Sequence, residues 1–116
     1  MKEGSKMSQI GLHRECDDLE RIIEDLAAGK ETCEIGDTRY TFEDALDYLR
    51  GYLQELKDLD ALLLEQGNTP ELLEKVHDKY SELWLFQLSF TVASLPRVIG
   101  RLWRYDWAKS RWFSTP

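Results

Sequence analysis

Phe42, Leu46, Leu49, Leu53, Leu56 and Leu63 recur in alternating steps of four and three, with Asp60 in the slot where a further apolar residue belongs. This spacing keeps one side of an α-helix apolar for about six turns, and such a stripe is stable in water only when a neighbouring element covers it. Gly67 ends the pattern. Asn68-Thr69-Pro70-Glu71 then restarts it, with Thr69 in the N-cap position and Pro70 at the first helical position, where its missing N–H costs nothing. The loop between the two helices is very short, so the chain is predicted to be built round a central antiparallel helical hairpin.

Upstream, Ser8 suits an N-cap, and Leu12, Cys16, Leu19, Ile23 and Leu26 form one apolar stripe behind it. Gly29 is placed to close that helix in the left-handed conformation, and Lys30 suits the negative end of its dipole. Between Thr32 and Phe42, two β-prone runs, Thr-Cys-Glu-Ile and Arg-Tyr-Thr-Phe, flank Gly-Asp-Thr, a pattern that predicts a small β-hairpin. Thr41 and Asp44 stand at capping-box spacing, although Asp reaches back less well than Glu or Gln.

Downstream, Leu73, Val76, Tyr80 and Leu83 mark one face of the third helix. Trp84, Leu85, Phe86, Leu88 and Phe90 then make it apolar nearly all round, and a segment of that kind is expected to be buried on every side. Phe86, Leu88, Phe90 and Val92 also alternate with Gln87, Ser89 and Thr91, which is a strand pattern. Helix is preferred because the segment continues an established helix with no turn signal before it. Pro96 predicts a kink or a restart. From Arg97 to Phe113, Val98, Ile99, Leu102, Trp103, Trp107 and Phe113 form an apolar arc opposite Arg97, Arg101, Arg104 and Arg111. The expected fold class is mainly α (α+β): one domain over residues 1–116, about four helices and one small β-hairpin near residues 32–42, with residues 1–7 frayed.

Chemistry-bearing motifs are sparse. Two histidines exclude any multi-histidine mechanism, and Glu74-x-x-His77, an element of di-iron bundles, occurs once and projects away from the apolar face. His13, Cys16, Cys33 and His77 have the residue types of a zinc site, but Cys16 falls on the apolar stripe, where a small buried thiol is ordinary. A helical-bundle metal protein is therefore only a third alternative. No nucleophile elbow, Walker loop or dinucleotide fingerprint is present, so no catalytic, metal or cofactor residue is expected. Cysteines without a CxxC pair, behind an N-terminus lacking an apolar leader, predict a cytoplasmic protein with free thiols. The longest charge-poor stretch, Leu83 to Leu95, is thirteen residues, short of the about 20 that a membrane span needs.

Charge is divided along the chain. Residues 1–80 carry 20 acidic and 10 basic groups, a net of −10, whereas residues 81–116 carry 2 and 5, a net of +3. Asp17, Asp18, Glu24 and Asp25 read first as a solvated face; the alternative is an acidic inhibitor that blocks the nucleic-acid site of a basic protein. Arg97, Arg101, Trp103, Arg104, Trp107, Arg111 and Trp112 read as a partner-binding surface, since Trp and Arg dominate interface hot spots. The net charge of −7 weighs against direct binding to nucleic acid or to an anionic membrane surface. Three of the four tryptophans lie in the last fourteen residues, more than so small a core needs. The leading expectation is a non-catalytic interaction or assembly protein, a homodimer or part of a protein complex.

The order helix, glycine, short hairpin, helix across residues 8–66 resembles the small head-to-tail joining proteins of tailed phages. The resemblance implies a phage-type assembly or inhibitor protein, and it assigns no residue a role.

Overall fold

The computed structural model describes residues 11–103. Helix α1 spans His13–Ala27, strand β1 Cys33–Ile35, helix α2 Phe42–Gln66, helix α3 Pro70–Ser89 and strand β2 Phe90–Val92. A last helix, α4, occupies residues 95–103. The protein is mainly α with one two-stranded antiparallel sheet, as expected.

The centre is the α2–α3 hairpin. Thr41 opens α2 with a complete capping box: its Oγ1 accepts the Asp44 N–H at 3.2 Å, and the Asp44 carboxylate accepts the Thr41 N–H at 2.8 Å. The shorter side chain therefore reaches back after all. Gly67, with φ of 81°, turns the chain, and Thr69 Oγ1 accepts the Leu72 N–H at 3.2 Å to restart the helix at Pro70. Leu46, Leu49, Leu53, Leu56 and Leu63 are all buried, as the spacing predicts, whereas Phe42, the first residue of the predicted stripe, is exposed at the start of the helix. Tyr52 and Leu59 join them on a second stripe, because α2 packs on α1 with one side and on α3 with the other.

Helix α1 runs antiparallel to α2. The stripe Leu12, Cys16, Leu19, Ile23 and Leu26 is buried, and Gly29, with φ of 76°, closes the helix while the Lys30 N–H bonds Asp25 O at 2.7 Å. Ser8 lies outside the described residues; the described helix begins at His13, whose N-cap, Leu12, offers no side-chain cap. Asp60 supplies the missing acceptor from α2, its Oδ1 taking the Leu12 N–H at 2.7 Å. The polar residue in the leucine seam is thus a cap for another helix, an interaction of about 1 kcal/mol. Gly11 permits the approach, since a Cβ there would stand 3.1 Å from the same oxygen.

One turn on, Glu15 is buried. Burial raises its pKa above the ordinary 4.5, with Asp18 and Asp60 pushing the same way and Arg101 opposing them. A carboxyl whose folded pKa exceeds its unfolded value costs nothing below the unfolded value, and ionising it weakens the fold as pH rises through the folded one. Glu15→Gln is therefore expected to raise the urea midpoint at pH 7 and to leave it unchanged near about pH 3, well below the unfolded value, where wild-type Glu15 is protonated in both states.

The sheet corrects the sequence reading in its pairing. β1 lies where the first β-prone run predicts, but its partner is β2, in the register Cys33↔Val92, Glu34↔Thr91, Ile35↔Phe90. No local hairpin forms over residues 32–42 because the capping box commits the chain to helix from Thr41, leaving Arg39 and Tyr40 too short a run for a strand. These two complete a turn instead, Arg39 N–H bonding Asp37 Oδ1 at 3.0 Å and Tyr40 N–H bonding Asp37 O at 3.1 Å. The helix–hairpin–helix order behind the phage resemblance is accordingly absent from the described residues.

Both patterns read over Phe86–Val92 are present, each in its own half: helix to Ser89, strand from Phe90. At the switch, the Gln87 side-chain amide donates to Val92 O at 3.1 Å and accepts the Val92 N–H at 3.2 Å. The chain then turns, and Ser94 gives its N–H and its hydroxyl to the Glu31 carboxylate at 3.0 and 2.7 Å. Pro96 falls at the start of α4, a restart rather than a kink, and Leu95, Val98, Ile99 and Leu102 complete the core.

Candidate functional site

Helix α3 lies at the edge of the bundle, and the expectation that residues 84–90 are buried on every side fails there. Phe86 and Phe90 are buried, but Trp84, Leu85 and Leu88 are 49%, 63% and 63% exposed. Positions 84 and 88, and 85 and 88, are neighbours on a helix surface, so the three form one apolar face. Single exposed leucines are ordinary, whereas contiguous exposed apolar faces are the kind of surface found at interaction sites.

This face runs into an open groove of about 550 Å³ between the end of α3, the start of α2 and the turn before it. Its floor is a ladder of rings. Phe86 stacks on Tyr48 with centroids 5.0 Å apart and planes 12° from parallel, Phe90 stacks on Phe86 at 4.9 Å, and Tyr40 tilts against Phe90 at 5.4 Å. Each ring arrives for a local reason. Tyr48 stands one helical step off the leucine seam, Phe86 lies in the last turn of α3 with Phe90 at its C-cap, where β2 begins, and the Asp37 turn delivers Tyr40. Burial raises the pKa of the Tyr48 hydroxyl, with Glu82 and Glu55 adding to the shift, so the ring stays neutral.

Polar groups form the rim. Asp44 and Glu82 face it with carboxylates, while Arg39 is forked onto Asp37, its Nη2 2.7 Å from Oδ2, and spends its charge there. That pairing holds Asp37 below the usual carboxylate range. Glu82 shares Lys79 with Glu55, and Asp47 lies 3.9 Å from Arg50, so acids outnumber bases around the mouth chiefly through Asp44 and the adjacent Glu43.

Below the groove lies a second polar cluster. Tyr52 donates its hydroxyl to Lys79 O at 2.6 Å, and burial, followed by the field of Glu82, holds its pKa far above normal. The Lys79 ammonium sits 4.7 Å above the Tyr52 ring and bonds Glu55 and Glu82. Every charge there has a partner, which suits a joint between helices better than a reaction centre.

The predicted partner surface is divided. Arg97 and Trp103 are exposed on α4, but Arg101 pairs with Asp18 of α1 and so fixes α4 in place. Arg104, Trp107, Arg111 and Trp112 lie outside the described residues. The acidic quartet is divided as well: Asp17 and Glu24 are exposed, Asp17 lying 3.1 Å from His13, while Asp25 is half-buried and Asp18 is taken by Arg101. Both cysteines are free, and burial pushes the Cys16 thiol up to about 12, which makes it a poor nucleophile and a poor metal ligand. Among the described residues, no cluster of three His, Cys, Asp or Glu side chains could hold a metal ion, and no helix is long and apolar enough to cross a membrane.

Sequence reasoning missed the groove because its walls come from segments some forty residues apart. The available signal was Tyr48 and Tyr52, a turn apart beside the leucine seam, where two aromatic residues extend the apolar surface of α2 towards a second neighbour.

Comparison with known proteins finds no match to this chain: no family model, no curated protein and no solved structure is significantly similar.

Proposed function

We propose that this chain is a non-catalytic interaction and assembly protein that associates with a second copy of itself through its Trp/Arg-rich C-terminal segment. The observation that carries the reading is Trp103. Its indole is 49% exposed, although Leu95, Val98, Ile99 and Leu102 already fill the core-facing side of the same helix. A large aromatic ring placed where the core has no use for it is what an interface anchor provides. Arg97 stands exposed on the same helix, and Arg104, Trp107, Arg111 and Trp112 continue the composition in the residues that follow. The face formed by Trp84, Leu85 and Leu88 supports the same class of function. The acidic-inhibitor alternative has less behind it, because Asp18 is already occupied by Arg101.

Sedimentation of the full chain at about 50 µM is the test. The wild type should sediment with the mass of two chains, and Trp103→Ala/Trp107→Ala/Trp112→Ala should sediment as one. A triple variant that associates as tightly as wild type removes the proposed role of the C-terminal segment.

A further inference from the structure

We infer that the aromatic groove between α2 and α3 is the receptor for the C-terminal segment, residues 104–116, of a second copy of this chain. The inference rests on the self-association proposed above and names the surface on which it occurs.

Complementarity of chemistry comes first. The groove offers a floor of stacked rings, Tyr48, Phe86 and Phe90, with Leu85 at its edge, under a mouth where acids outnumber bases, since Glu82 shares Lys79 with Glu55 and Asp44 has no cationic partner among the described residues. A matching ligand carries aromatic rings interleaved with cations. Residues 104–116 hold Tyr105, Trp107, Trp112 and Phe113 together with Arg104, Lys109 and Arg111, against Asp106 as the only acid. No other stretch of this acidic chain combines those properties. The volume of about 550 Å³ suits a few large side chains rather than a whole domain face.

The direction of α4 favours a second copy over the same molecule. Ser94, before α4, binds Glu31 just past the end of α1, whereas Arg101 binds Asp18 nearer its start. Helix α4 therefore runs antiparallel to α1 and leaves the described fold at the end where Asp60 caps Leu12. The groove lies the other way along α2, at Tyr48, twelve residues or roughly 18 Å from Asp60. A segment leaving residue 103 would have to reverse and travel back along its own bundle to enter its own groove. A segment from another copy has no such constraint, and reciprocal exchange between two copies closes a symmetric dimer with both grooves filled.

Two full-length variants separate this inference from the reading beneath it. Leu85→Arg places a cation in the groove at a position 63% exposed, where the fold does not depend on the leucine. Trp107→Ala/Trp112→Ala breaks the ligand and leaves the groove intact. Each variant alone should lose self-association by about tenfold or more, with unchanged helical circular dichroism. Mixed in equal amounts, they should recover a dimer, because one copy keeps an intact groove and the other an intact segment. That dimer should be weaker than wild type, since one joint replaces two. If Leu85→Arg stays dimeric while the tryptophan variant is monomeric, the segment binds elsewhere and the groove is not its receptor. A tryptophan variant that remains dimeric shows that Trp107 and Trp112 are not the ligand and overturns the inference, whereas a wild type that sediments as one chain sinks the self-association reading itself. Failure of the mixture to associate, with both single variants monomeric, overturns exchange between copies.

Discussion

Leu56→Ala is expected to lower the unfolding free energy by about 3–5 kcal/mol, a large share of the about 5–15 kcal/mol that a domain of this size holds. Leu56 is fully buried at the middle of α2, the helix that packs on both α1 and α3, so the vacated space opens where those layers meet. The residual cavity stays open because neighbouring leucines on the same stripe, Leu49 and Leu63, are themselves wholly enclosed and have no slack to move into it. Urea unfolding followed by circular dichroism measures the effect, with an unchanged slope showing that the transition is still two-state. Leu64→Ala, on the exposed side of the same helix, is the control and should change stability by no more than about 0.5 kcal/mol. Equal losses in both variants would contradict the burial pattern described for α2.

Removing both carboxylates from Lys79, as Glu55→Gln/Glu82→Gln, is expected to cost about 2–4 kcal/mol, whereas Lys79→Met should lie within about 1 kcal/mol of wild type. The asymmetry follows from solvation. The Lys79 side chain is 11% exposed, so its ammonium without partners is a stranded charge, held only by the face of the Tyr52 ring. Glu55 and Glu82 are 65% and 46% exposed and remain hydrated once the lysine is gone. Methionine fills a comparable volume without a charge to solvate. Unfolding curves in low and high salt distinguish the two, and a Lys79→Met variant as unstable as the double glutamine variant would show that the cluster stabilises the hairpin through its ion pairs.

The parts of the fold legible in the sequence are those fixed within a few residues of themselves. Thr41 with Asp44, Thr69 before Pro70, and the two glycines at positive φ each declare a helix end through bonds spanning three or four positions. The leucine spacing of α2 is likewise local, and it implies a partner without saying which. What could not be read depends on who that partner is. β1 had a β-prone sequence, but Phe90–Val92 lies more than fifty residues downstream, and nothing in Cys33–Ile35 distinguishes it from the nearer Arg39–Phe42. Asp60 looked like a flaw in the seam, and its purpose became visible only with Leu12 beside it. Trp84, Leu85 and Leu88 read as core because residue type alone cannot tell a helix inside a bundle from one at its margin. For the candidate site, Trp103 is exposed, Arg101 is engaged within the chain, and the groove went unforeseen.

The Gln87 side chain lends its amide to Val92 in the geometry of one further peptide unit, a surrogate for a third strand. Any open margin of a sheet invites foreign backbone to add on, and repeated addition leads to fibres. Here a single amide blocks that route on one side of a sheet only three residues long. Backbone addition is thereby closed at that margin, and any contact made there must run through side chains, whose shapes and charges discriminate where a bare backbone edge does not.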